Sequence, residues 1–142
     1  MQGLNVIWVF NKNASKVLMC KRQKEPFKGL YNLVGGKIEP GEDKLTAAYR
    51  ELQEETGITD IKLHHLMSCT YYMKNSCRIE IYAGKLPQDV IMCGDENELA
   101  WIDINEDFFD MSRFAGDGNL GHVYEVIKQN ACTILVQNQV DL

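Results

Sequence analysis

The chain has 142 residues, 45% of them hydrophobic and 25% charged, with a formal net charge of −5 at pH 7. One domain of this size buries about two-thirds of the surface its unfolded chain exposes, so a true core is available. The charge disfavours a sequence-blind nucleic-acid binder, no apolar run nears the ~18 residues of a membrane span, and the N-terminus lacks a signal-peptide pattern. A cytoplasmic protein with neither a nucleic acid polymer nor a membrane as partner is expected.

Leu4 to Phe10 is a β-branched and aromatic run, Lys16 to Lys21 is a second, and Asn11 to Ser15 between them reads as a hairpin loop. Basic residues gather here, at Lys12, Lys16, Lys21, Arg22, Lys24 and Lys28, either to meet an anion or as the solvated face of a strand pair. After a break at Glu25 to Gly29, Leu30 to Val34 looks like a short buried strand. It leads into a glycine loop, Gly35-Gly36 and Pro40-Gly41, where backbone groups can approach a ligand with no side chain in the way.

A helix over Glu42 to Thr56 follows. Leu45, Ala48, Tyr49, Leu52 and Thr56 fit the i, i+3, i+4, i+7 rule for its buried face, with Asp43 as a cap and Gly57 as a left-handed stop. Glu51, Glu54 and Glu55 are spaced i, i+3, i+4 and stand together about a third of a turn away from that face. Like charges so placed repel, and a hard divalent cation, which takes oxygen ligands, turns the repulsion into attraction. Arg50 lies one turn before Glu54 and can hold it by paired hydrogen bonds.

Beyond Gly57, strands are expected in Ile61 to Met73, Cys77 to Leu86 and Leu99 to Ile104. A second helix starts at Asn119 or Leu120 and runs to about Gln129, with Val123, Val126 and Ile127 as its apolar stripe. The Gly-x-Gly-x-x-Gly from Gly116 to Gly121 follows no strand, so a turn opening a helix explains it better than a dinucleotide site. Ala131 to Val136 reads either as an edge strand or as packing. The five cysteines include no C-x-x-C pair, so reduced, mostly buried thiols are expected, and the methionines read as core fillers. No repeat or linker divides residues 1–142, so the expectation is a single α+β domain around a mixed sheet.

The spacing G-x5-E-x7-R-E-U-x-E-E-x-G-U, with U aliphatic, is filled by Gly36, Glu42, Arg50, Glu51, Leu52, Glu54, Glu55, Gly57 and Ile58 without departure. Here the chain resembles the Nudix hydrolases, MutT-type enzymes among them. The resemblance implies an α/β/α sandwich with the catalytic helix on the sheet, and hydrolysis of a nucleoside diphosphate linked to X with Mg²⁺, or Mn²⁺ in its place. It also implies metal ligands among Gly36, Glu51, Glu54 and Glu55. Glu54 or Glu51 would be the general base, Arg50 would orient the cluster, and Glu42 would tether the loop.

A further acid is expected at Glu96, with Glu98 as its near alternative. The segment Tyr31 to Lys37 looks like the W-N-x-x-G-G-K of MutT-type enzymes, with Tyr31 departing from the tryptophan. Asn32 would read a purine base, with Phe27, Asp117 and Asn119 as further base contacts and Lys37 and Arg22 also touching substrate. The leading expectation is cleavage of a nucleoside triphosphate, with an oxidised purine in view, to monophosphate and pyrophosphate. A dinucleoside polyphosphate or nucleotide sugar as substrate, and a non-catalytic nucleotide-binding regulator, are the alternatives. The sequence leaves homodimerisation open.

Overall fold

The computed structural model describes residues 1–72, 75–90 and 98–135. The sheet is assembled on β1, Gln2–Phe10, whose apolar run is buried on both sides: Ile7 and Val9 point to one face, Trp8 and Phe10 to the other. The other strands are β2 (Lys16–Lys21), β3 (Tyr31–Lys37), β4 (His64–Tyr71), β5 (Cys77–Lys85) and β6 (Glu98–Asp103). They give a six-stranded sheet in the order β4-β5-β1-β3-β2-β6, with β1 and β5 parallel and the remaining pairs antiparallel.

Helix α1 (Lys44–Thr56) covers one face, packing Ala48 and Leu52 on Ile7, Val9, Leu18 and Val34. Helix α2 (Asn119–Gln129) covers the other through Leu120, Val123 and Ile127. Phe108 and Phe114 join Trp8 on that side. This is the expected α/β/α sandwich around a mixed sheet.

Several sequence expectations shift. Strand β3 does not stop at Val34 but runs through both glycines to Lys37, because Asn5 and Val6 of β1 pair with Gly36 and Gly35. Ala131–Ile134 is a short helix, α3, rather than an edge strand. Helix α1 starts at Lys44, since Asp43 is its cap: the carboxylate accepts from the Thr46 amide at 3.1 Å. Gly57 closes the helix in the left-handed region, as expected.

The buried face of α1 is rotated by roughly a fifth of a turn from the face the periodicity suggests. Ala47 is buried, whereas Leu45 is 41% exposed. The rotation brings the side of Glu51 and Glu55 inward, and both are only half-buried rather than exposed. The acids therefore stand between helix and sheet instead of beside the buried face. The cysteines within the described residues are free thiols, although Cys132 is exposed, and Met111 at 59% exposure is no core filler. No helix among the described residues is long and apolar enough to cross a membrane.

Candidate active site

The end of β3 brings backbone against the acids of α1. A Cβ at Gly35 would lie 2.1 Å from the Asn5 carbonyl oxygen, and one at Gly36 would lie 2.4 Å from the carboxylate carbon of Glu51. Only glycine permits either approach. Glu51 thus rests directly on the Gly36 backbone.

Arg50 organises the carboxylates around this contact. It grips Glu42 with two bonds, Nε to Oε2 at 2.7 Å and Nη2 to Oε1 at 2.9 Å. It also donates through Nη1 to Glu51 at 3.0 Å and to Glu54 at 3.2 Å, and through Nη2 to the Lys37 carbonyl at 3.1 Å. Its principal partner is therefore Glu42, eight residues back, and not Glu54 one turn on. Glu42 in turn closes the loop before α1, accepting from the Glu39 amide at 3.1 Å. Arg50 holds the Glu42 carboxyl down at about 2.

Burial pushes the Glu51 carboxyl above the usual carboxylate range; Arg50 opposes that shift, while Glu54 and Glu42 add to it. A carboxylate raised in this way is a better proton acceptor. The charge of the half-buried Glu55 helps raise the buried Cys20 thiol on β2 to about 11, burial being the larger cause. Among the described residues no three His, Cys, Asp or Glu side chains form a ready-made cation group. What the site offers is one half-buried carboxylate against bare glycine backbone, with Glu54 in reach of the same arginine. That donor set is all hard oxygen, which suits Mg²⁺ or Mn²⁺. Glu96 lies outside the described residues, and Glu98, at the start of β6, pairs across to Lys21.

On the α2 side lies an open cavity of about 420 Å³, and Phe27, Asn32, Asp117 and Asn119 all line it. Loop residues far apart in sequence meet there because Tyr31 donates to the Arg113 carbonyl and accepts from the Ala115 amide, which draws the segment before α2 to the start of β3. The Asn32 side-chain oxygen accepts from the Leu33 amide at 2.8 Å. A backbone N–H can only donate, so this bond identifies the acceptor of the Asn32 side chain and leaves its Nδ2 as the donor.

Arg22 and Lys37 are not on the cavity wall. Arg22 donates to the Pro26 carbonyl at 2.7 Å, and Lys37 offers its carbonyl to Arg50. Tyr71, which accepts from Asn119 Nδ2 at 2.5 Å, also lines the cavity and escaped the sequence reading, as did Asn5. A polar residue inside the apolar run of β1 was the signal for Asn5. Tyr71, in a tyrosine-rich strand end, gave none.

Residues 1–114 match the NUDIX domain family. The chain belongs to the Nudix family. This Nudix hydrolase is similar along its length to the RNA pyrophosphohydrolase of Pelagibacter ubique, with 43% identity over 94% of this chain and 92% of that protein. A shorter match joins it to the ADP-ribose pyrophosphatase of Methanocaldococcus jannaschii, 48% identical over 44 residues, which are 31% of this chain and 26% of that protein. Among solved structures, a MutT from a study of Aliivibrio salmonicida and Vibrio cholerae superposes with a TM-score of 0.68 at 25% identity, covering 90% of this chain and 98% of that one.

Proposed function

We propose that this Nudix hydrolase cleaves a purine nucleoside triphosphate to monophosphate and pyrophosphate, with guanine or its oxidised form as the base and Mg²⁺, replaceable by Mn²⁺, as cofactor. The observation that carries the reading is the contact of Glu51 with Gly36 at one end of a strand whose other end, at Asn32, opens onto the cavity. Asn32 and Gly36 are four residues apart on β3, about 13 Å along a strand. A nucleotide with its base in the cavity would carry its phosphates past β3 to the acids on the α1 face.

The base preference follows from donors and acceptors. Asn32 presents amide hydrogens to a purine O6, and Asp117 presents a carboxylate to the N1 and N2 hydrogens of guanine. Glu51 takes the proton of the attacking water, with Glu54 as its neighbour on the same arginine. Arg50 holds both carboxylates and the loop in register. A bound Mg²⁺ would supply neutralisation of the phosphate charge and make the attacking water more acidic.

The full-length likeness to an RNA pyrophosphohydrolase favours a second reading, removal of pyrophosphate from a 5′-triphosphate on RNA. The two separate by product analysis with Mg²⁺ on a panel holding guanine, oxidised guanine, adenine and pyrimidine triphosphates, a dinucleoside polyphosphate, a nucleotide sugar and a 5′-triphosphorylated oligoribonucleotide. The expected result is monophosphate and pyrophosphate from the guanine nucleotides. Turnover of the oligonucleotide alone would establish the second reading, and binding without turnover would make the protein a regulator.

A further inference from the structure

Asn5 sits in the middle of β1 at 1% exposure, a polar side chain where the strand is otherwise apolar. Its Oδ1 accepts from the Gly36 amide at 3.2 Å, which fixes the orientation of the side-chain amide, and its Nδ2 is buried with no hydrogen-bond partner among the described residues. An aliphatic residue would remove the unpaired Nδ2 but would also take the Oδ1 acceptor from the Gly36 amide, so what asparagine adds here is that one hydrogen bond. Its acceptor does have a use. The carbonyl oxygen of Asn5 already packs on Gly35 closely enough to exclude any Cβ there. Its side chain then pins the Gly36 N–H, and Arg50 pins the Lys37 carbonyl at 3.1 Å. The Gly36 carbonyl lies between these two anchors, on the residue that Glu51 touches.

We propose that Asn5 is a positioning residue of the active site, holding the Gly36–Lys37 backbone against the Glu51 carboxylate so that the two bind one divalent cation together. This rests on reading the acid cluster as a cation site. It is tested on the full chain with Asn5→Val, which suits a strand, and Asn5→Leu, which keeps the shape of asparagine. Mn²⁺ affinity is read by electron paramagnetic resonance, thermal midpoint by calorimetry, and Gly36 amide exchange by NMR on the metal-free protein.

The expected result is a thermal midpoint near that of wild type, since the lost hydrogen bond and the removed unpaired Nδ2 offset each other, Mn²⁺ affinity weakened by about 10–100-fold, and faster exchange at Gly36. Wild-type Mn²⁺ affinity in a folded variant would overturn the inference. So would loss of the fold in both variants, since Asn5 would then be structural. If wild type itself takes up no Mn²⁺, or Glu51→Gln binds it unchanged, the cation reading fails and this inference falls with it.

Discussion

Glu51 and Arg50 show how a pattern of residue types becomes chemistry. The signature places acids at fixed intervals, but what distinguishes Glu51 from Glu54 is environment: side-chain exposures of 15% and 58% leave Glu51, and not Glu54, shielded from water. Replacing Glu51 with glutamine removes the proposed base and is expected to lower turnover by about 10²–10⁴-fold with the circular dichroism unchanged. A smaller loss would move the base to Glu54. Arg50→Lys keeps a positive charge but cannot hold Glu42 in two bonds while reaching Lys37. It is expected to cost about 10–100-fold in turnover, and wild-type rates would show that Arg50 is not the organiser. Residue types at the acid cluster were legible in the sequence because the signature names them. Their partners were not: the Arg50–Glu42 grip joins residues eight apart through loop closure, and no helix-periodicity rule reaches that far.

Helix α1 is the element that turns spacing into placement. Its ends were readable, Asp43 as cap and Gly57 as stop, because both rest on local backbone chemistry. Asp43→Ala should cost about 1 kcal/mol of stability, measured by urea unfolding with an unchanged slope. No loss would mean the Thr46 amide finds another acceptor. The rotation of the helix could not be read from its own sequence. Alanine at 47 and 48 is weakly apolar, while Leu45 and Tyr49 are strong signals, so a periodicity count pulls the predicted face toward the larger side chains. The sheet instead accepts the smooth alanine side, which allows Glu51 to come down on Gly36. Strand β3 was cut short in the reading for a related reason: glycines signal a loop locally, and only the pairing with Asn5 and Val6 keeps them in the sheet.

For the whole molecule, the fold class was legible from the order of strands and helices, yet the parallel pairing of β1 with β5 joins residues as distant as Gln2 and Cys77, about half the chain apart. The same long-range assembly buries Glu80 at 1% exposure, where it accepts from Ser68, from His65 at 2.9 Å and from Arg78 at 2.8 Å, with Lys44 of α1 at 3.7 Å. Burial pushes this carboxyl up, but the donors outweigh it and hold it at about 2, against an ordinary 4.5. A depressed carboxylate adds stability that is present above pH 4.5 and lost as pH falls toward 2. The penalty of Glu80→Gln in thermal midpoint should therefore be largest at neutral pH and shrink through that window. A penalty constant with pH would show that packing, not charge, is what Glu80 contributes.

The measurement that bears most directly on the account is a crystal of this Nudix hydrolase soaked in Mn²⁺, with the ion located by its anomalous scattering. The ion is expected against the Glu51 carboxylate and the Gly36 carbonyl. An ion bound only elsewhere, with Glu51 still resting on Arg50 and glycine backbone alone, would contradict it.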